Sequence, residues 1–207
     1  MEIFPHEIHV SVRGSSLADF RADCAALGVK PLVLDLQDRE GLSVMTDVMT
    51  SSKMRGTTEE ALLTARRLSD DLSERGHAVV RMKVETVPWH PMTPRRGDGR
   101  AMPTDCYFES HIAVRTTAER LDALSEAARL SGCHRSRNPL KEDASGLTVM
   151  LTLRLTSGCL EDFRDRVDAL SAILTEFGFE VLKTEVEFAV RDSRIGHDRA
   201  WIEGVSA

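Results

Sequence analysis

The chain has 207 residues, of which 42% are hydrophobic, 29% charged and 5% aromatic, and its formal net charge is -6 at pH 7. This composition is typical of a soluble globular protein of one domain or two small ones. The acidic balance argues against general nucleic-acid binding, which depends on Lys and Arg at phosphates, and no apolar stretch is long enough to span a membrane.

The first half predicts a strand, a helix, two strands, a second helix and a closing strand. Residues 7–13, EIHVSVR, alternate polar and apolar positions as a half-buried strand does. The segment ahead of them lacks the basic and apolar regions of a signal peptide, so we expect a cytoplasmic protein. Later elements are a helix from Leu17 to Gly28, the strands KPLVLDLQ and LSVMTDVMTSS, a helix opening with the capping box at Thr57, and the strand HAVVRMKVETV.

The second half repeats this order at an offset of 102 positions, as from Glu7 to Glu109. Residues 109–115, ESHIAVR, match residues 7–13, and HRSRNPLK and LTVMLTLRLTS stand where the second and third strands are expected. We therefore predict an α+β protein of two tandem ferredoxin-like (βαββαβ) repeats, with antiparallel sheets and the helices on one face. The whole chain resembles bacterial proteins built from such repeats, a resemblance that implies a fold and no activity.

The predicted domains are residues 1–87, a first repeat, and residues 106–207, a second repeat with a carboxy-terminal tail. Between them, residues 88–105 contain four prolines and two glycines, which is typical of a linker or of a long surface loop. A long loop in a compact protein also serves as a lid over a site. Both readings remain open.

Strand alternation predicts which side chains leave the helix-covered face. Ile8, Val10 and Val12 should point to the helices, so His9, and by analogy His111, should point away. The same face should carry Asp47 and other polar side chains from neighbouring strands. Such a face is exposed to water, encloses a polar cavity against the other half, or pairs with a second chain; the methionines beside it favour the cavity.

One interpretation of this face is a metal site. His9, Glu85, His111 and Glu187 offer two imidazoles and two carboxylates, which suit zinc, iron, manganese or nickel. The arrangement is similar to that of the vicinal oxygen chelate enzymes, in which paired modules donate the ligands. Each half here has an additional helix before its last strand, which departs from that family.

Another interpretation is acid–base chemistry by His9 and His111, since histidine titrates near neutrality. The HVS of the first half resembles the H-x-[TS] motif of the 2H phosphoesterases, in which the histidines act as base and acid and the hydroxyls hold the phosphate. That resemblance implies a phosphate contact for Ser11, but the second half reads HIA and lacks the hydroxyl. Arg81, Arg154 and Lys183 would offset phosphate charge. Alternatively, the histidines serve only as hydrogen-bond partners of Glu85 and Glu187.

Two further stretches are candidates for anion binding. Residues 50–60, TSSKMRGTTEE, bring Lys53 to a helix amino terminus, although an ordinary solvated loop explains them as well. Residues 133–141, CHRSRNPLK, carry His134, Arg135 and Arg137 where the first half is apolar. They either bind an acidic ligand or blunt an exposed edge strand.

The sequence thus predicts a His/Glu/Arg-lined site between the repeats for a small phosphate- or carboxylate-bearing ligand. It favours a hydrolase or phosphoesterase-like protein, or a metal-dependent enzyme with a divalent cation as the candidate cofactor. The alternative is a non-catalytic interaction module that forms a homo-oligomer. The partners predicted are a small molecule, with no nucleic acid and no membrane, and enzymatic activity itself is left open.

Overall fold

The computed structural model describes residues 2–37, 43–137, 147–198 and 201. Within them the chain forms eight strands, four α-helices and two short 3₁₀ helices. The strands and α-helices, in chain order, are β1 (Phe4–Arg13), α1 (Leu17–Ala26), β2 (Lys30–Gln37), β3 (Ser43–Gly56), α2 (Thr58–Glu74), β4 (Ala78–Thr86), β5 (Tyr107–Thr116), α3 (Leu121–Ser131), β6 (His134–Arg137), β7 (Leu147–Leu155), α4 (Leu160–Glu176) and β8 (Glu180–Asp192). The predicted strand positions 42 and 138–141, and tail residues 202–207, lie outside the described residues.

All the described strands belong to one antiparallel sheet that closes on itself. The order around it is β1-β3-β2-β6-β7-β5-β8-β4, and β4 pairs again with β1. The prediction of two ferredoxin-like repeats, each a sheet with helices on one face, is therefore wrong, and the structure is a closed eight-stranded barrel with helices. Alternation within a strand reveals its two faces, but it does not reveal which strand edges join, and here the outer strands of each half pair with the other half.

Two short seams join the halves on opposite sides of the barrel. At one, β4 pairs through Lys83–Thr86 with Phe188–Asp192 of β8. At the other, Asp35–Gln37 of β2 pair with Arg135–Arg137 of β6. Because β6 also pairs with β7, it is not an edge strand, and its basic residues do not blunt an exposed edge.

The apolar core lies between the outer surface of the barrel and the helices. Ile8 and Val10 of β1 are buried with Phe20 of α1, and Phe108 of β5 stacks on Phe163 of α4 at 5.4 Å between ring centroids. A capping box at Thr57 starts α2 so that its apolar side faces the sheet. None of the helices in the described ranges is long and apolar enough to cross a membrane.

The opposite face of the strands turns inward, and the barrel interior is polar. Arg81 donates to Asp192 at 2.6 Å and to Asp198 at 3.2 Å, and the Tyr107 hydroxyl donates to Asp192 at 2.8 Å. Arg154 donates to the same Asp198 at 2.8 Å. Asp198 belongs to the 3₁₀ helix Ile195–Asp198, so these ion pairs fasten the segment after β8 to the barrel.

Replacing Arg81 with Met should lower the free energy of unfolding by roughly 3 to 5 kcal/mol, because Asp192 would keep a buried charge without its main partner. Urea denaturation of purified protein measures this change. The matched control is Arg115→Met, which removes an exposed ion pair with Glu180 at 3.3 Å and should change stability by less than about 1 kcal/mol. Equal losses in the two variants would contradict the role given to the interior pairs.

Candidate functional site

A cleft of about 480 Å³ opens at the seam where β4 ends. The chain turns away after Thr86, and β4 pairs only with the last residues of β8, which leaves a gap. Lining segments are Pro5–Glu7 of β1, Lys53–Arg55 of β3, Glu85–Trp89 and Glu185–Glu187 of β8. The cleft therefore receives residues from both halves of the chain.

The cleft is acidic. Its lining residues with a carboxyl, ammonium or guanidinium group are Glu7, Lys53, Arg55, Glu85, Glu185 and Glu187. Glu7 lies directly across from both Lys53 and Glu85 in the strand register, and Lys53 Nζ is 3.0 Å from Glu7 Oε2. Acidic side chains thus outnumber Lys and Arg around this opening.

His9 stands behind the glutamates contributed by the first half. Its Nδ1 donates to the carbonyl oxygen of Thr50 at 3.0 Å. Its Nε2 lies 3.2 Å from Glu85 Oε2 and 3.7 Å from Glu7 Oε1. The ring is therefore oriented by the backbone of β3 and directed at two residues that line the cleft.

His111 has the corresponding place in the second half. Its Nε2 lies 3.4 Å from Glu109 Oε2 and 3.7 Å from Glu187 Oε2, and Nδ1 lies 3.2 Å from Thr152 Oγ1. Burial lowers the pKa of His111, but the hydrogen bond and charge of Glu109, with Glu187 and Glu85, outweigh burial and raise the pKa to about 9. His111 is consequently an imidazolium at neutral pH.

Glu85 and Glu187 line the same cleft in opposite protonation states. Burial raises the pKa of Glu187 to about 8, reinforced by repulsion from Glu85 and opposed by His111 and Lys83. For Glu85 burial acts in the same direction, but the Lys83 charge and His9 overcome it and lower the pKa to about 2. A neutral carboxyl group beside a carboxylate is the usual arrangement of an acid–base site.

Lys83 lies beneath Glu85. Its Nζ is 2.9 Å from Glu85 Oε1 and 2.9 Å from Glu109 Oε2. The contact between Lys83 Nζ and Glu85 is close, but its angles are outside the range of a hydrogen bond. Within the described residues, neither carboxylate oxygen of Glu85 has a hydrogen-bond partner. Glu109 is better satisfied, because Arg154 also donates to it at 2.8 Å.

Glu85, Glu109 and His111 could hold a metal ion, since one ligand atom from each lies within 4.8 Å of the others. Two of these residues, Glu85 and His111, belong to the predicted ligand set. Glu109 was missed, although ESHIAVR carries it two positions before the histidine, so that both side chains share one face. The predicted ligands His9 and Glu187 instead contact Glu85 and His111, respectively.

The residues predicted to bind an anionic ligand are dispersed. Lys53 lines the cleft, whereas Arg81 and Arg154 form ion pairs with carboxylates inside the barrel. Lys183 is 60% exposed and pairs with Glu185 at 2.6 Å. Ser11 and Asp47, which were also predicted to lie at the ligand site, are buried, and Asp47 Oδ1 lies 3.3 Å from His197 Nε2.

The basic residues His134, Arg135 and Arg137 lie at the β2·β6 seam, on the side of the barrel opposite the cleft. The His134 ring packs against Trp201, whose Nε1 donates to the Arg135 carbonyl oxygen at 3.0 Å. Arg135 itself donates to Ser125 of α3. Trp201 is buried here as an aromatic ring with a satisfied N–H.

The segment predicted as a linker or lid contributes Pro88 and Trp89 to the cleft. His90 fixes it to the start of α2, with Nε2 3.0 Å from Thr58 Oγ1. Farther along, Arg96 donates to Asp162 at 2.8 Å. These contacts hold the segment against helices of both halves.

No protein-family profile and no curated protein sequence matches the chain. Among solved structures, the acetolactate synthase small subunit of Thermotoga maritima is 13% identical, with 88% of this chain and 92% of that one covered and a TM-score of 0.28. A candidate monooxygenase of Lactobacillus acidophilus is 13% identical, with coverage of 92% and 94% and a TM-score of 0.33. Likenesses this remote carry no argument about fold or function.

The Glu187→Gln variant should become more stable than wild type, in free energy of unfolding, and this difference should grow as the pH rises from about 5 to about 8. The folded wild-type protein keeps a proton that the unfolded chain releases near pH 4.5, so ionisation of Glu187 favours unfolding over this range. The gain should reach roughly 2 to 4 kcal/mol. Denaturation at several pH values measures it, and a carboxyl NMR titration should locate the Glu187 midpoint near 8.

The control for this series is Glu180→Gln, on the same strand but 61% exposed and paired with Arg115. Its stability relative to wild type should not change with pH in this way. A Glu187 midpoint near that of a free glutamate would contradict the electrostatic description of the cleft.

Proposed function

We propose that this protein is a small-molecule enzyme that transfers protons in the cleft beside β4 and β8. The observation that carries the proposal is geometric. Two glutamates, Glu85 and Glu187, line one cavity, each is contacted by a histidine, and the two pairs come from opposite halves of the chain. The cavity, about 480 Å³, is in the range of small-molecule sites, which span about 300 to 1,000 Å³.

Glu187 is the proposed proton donor and acceptor. Its pKa, raised to about 8, supports this role, because an acid–base group works best when its pKa is near the working pH. Glu187 gives its proton to the substrate and becomes a carboxylate 3.7 Å from His111, whose positive charge stabilises it. Glu187 then takes a proton from another position of the substrate, which restores its neutral form and completes the cycle. Glu85 stays ionised, with the Lys83 ammonium 2.9 Å from its Oε1.

The sequence also predicted a phosphoesterase-like activity and an anionic ligand, and the contacts support the first less than the second. A phosphoesterase would need cations and the Ser11 hydroxyl at the site, but Arg81 and Arg154 already bind carboxylates. Ser11 is buried away from the residues that line the cleft. A ligand with an anionic group would therefore depend on Lys53 and Arg55. The anionic ligand stays a prediction.

Incubation of the protein in D2O with pooled metabolites tests the proposal, because NMR detects exchange or conversion of any compound. Glu187→Gln should slow the reaction that is found by at least about 100-fold, with little change in substrate binding. Glu180→Gln serves as the matched control and should keep the full rate. A compound that binds in the cleft without exchange or conversion would indicate a binding protein and refute the enzyme.

A divalent cation at Glu85, Glu109 and His111 is the second candidate, favoured by the absence of hydrogen bonds on Glu85 within the described residues. These side chains fit zinc or manganese, and a bound cation would supply Lewis-acid chemistry at the base of the cleft. The Lys83 ammonium, 2.9 Å from both carboxylates, lies where it would compete with such an ion.

Removing that competitor tests the metal site. Lys83→Met should bind zinc at least about tenfold more tightly than wild type in calorimetry, because a positive charge within a few ångströms of the ion is lost. His111→Ala should abolish the binding, and circular dichroism should confirm that both variants are folded. Equal zinc affinity in wild type and Lys83→Met would contradict a site at these residues.

A further inference from the structure

The cleft already holds one ammonium group of its own chain. Lys53, whose side chain is 72% exposed, extends to Glu7 at 3.0 Å. The pKa of Lys53 is raised by the hydrogen bond and charge of Glu7, with smaller contributions from Glu185 and Glu187 across the cleft. The acidic walls therefore attract a protonated amine, and the exposed Lys53 side chain supplies one from the chain itself.

Glu85 is a second anion of the cleft, and it is less well satisfied. It is 1% exposed, with Lys83 Nζ 2.9 Å from Oε1 and His9 Nε2 3.2 Å from Oε2, but within the described residues neither contact has the geometry of a hydrogen bond. Lys83 neutralises it from the side of Glu109 and is not among the described residues that line the cavity. A carboxylate that lines a cavity in this state is a ready acceptor for a ligand N–H group, since buried charge without a hydrogen bond is costly.

Trp89 supplies an aromatic wall to the same cavity. It lines the cleft although 58% of its surface is exposed, and its neighbour His90 is fixed to Thr58. A large indole kept at the opening of an acidic cleft can cover apolar atoms of a ligand and attract a cation to its ring face.

We propose that the cleft takes a small molecule bearing a protonated amine, with Glu85 as its counter-ion and Trp89 as the surface it packs against. The inference rests on the proposed function, since it names the substrate class of that cleft. The amine enters between Glu7 and Glu187, and Glu85 accepts its hydrogen bonds. Arg55 lies two residues beyond Lys53 on β3, where Pro5 is its partner in the strand register, and it lines the same cleft as a second cation.

Calorimetry with three molecules of one ring size tests the amine assignment: benzylamine, benzyl alcohol and benzoate, at pH 7 in buffer with EDTA. Benzylamine should bind at least about tenfold more tightly than either of the others, as expected for a charged hydrogen bond. Glu85→Gln should remove this preference. Trp89→Ala should weaken benzylamine severalfold, and since its side chain is largely exposed the variant should fold normally. Glu180→Gln should bind as wild type does.

The outcomes distinguish failure of the amine assignment from failure of the proposed enzymatic function. Tighter binding of benzoate or benzyl alcohol, weakened by Trp89→Ala, overturns the amine assignment and leaves the proton-transfer function standing. Retention of the benzylamine preference in a folded Glu85→Gln variant overturns Glu85 as the counter-ion. If none of the three binds, the amine assignment also falls, and the exchange assay in D2O decides separately on the enzyme.

Discussion

Arg81 and Arg154 share the carboxylate of Asp198 inside the barrel, and Asp192 and Glu109 complete their pairing. Charged groups can be buried at this depth only when partners neutralise them and accept their hydrogen bonds. The closed sheet brings those partners together, since the five residues come from β4, β5, β7, β8 and the segment that follows β8. Closure of the barrel and neutralisation of its interior therefore depend on one another.

The polar groups of the barrel interior have fewer hydrogen bonds toward the cleft. Arg81 and Asp192 have several hydrogen bonds to each other, whereas Glu85 has the Lys83 ammonium at 2.9 Å and, among the described residues, no hydrogen bond. Glu187, on the wall of the cleft formed by β8, has its pKa raised to about 8 by burial and by Glu85. Unsatisfied polar groups and perturbed pKa values are typical of sites that act on ligands. The polar network thus has a well hydrogen-bonded end at Asp192 and a poorly hydrogen-bonded end at the cleft.

The two halves use equivalent positions differently. Lys83 of β4 is buried between two carboxylates, while its counterpart Glu185 on β8 pairs with the exposed Lys183. The cause is the seam, because β4 stops at Thr86 and its last residues pair with the far end of β8. The earlier part of β8 is left beside the gap. A sequence with two similar halves therefore produces one cleft, in which the equivalent residues Glu85 and Glu187 have different pKa values.

The sequence by itself determined the order of strands and helices, the repeated E-x-H pattern and the face on which the histidines lie, because these features follow from local periodicity and capping. The α+β class follows from the same signals. Only the tertiary structure decided that the strands close into one barrel, since the edges of β2 and β4 carry no signal naming β6 and β8 as partners. It also decided that Arg81 and Arg154 bind carboxylates, that Glu109 joins His111, and that His134, Arg135 and Arg137 lie far from the cleft. Those outcomes depend on contacts between residues distant in sequence, which pairing of strand edges creates and which alternation within a strand does not reveal.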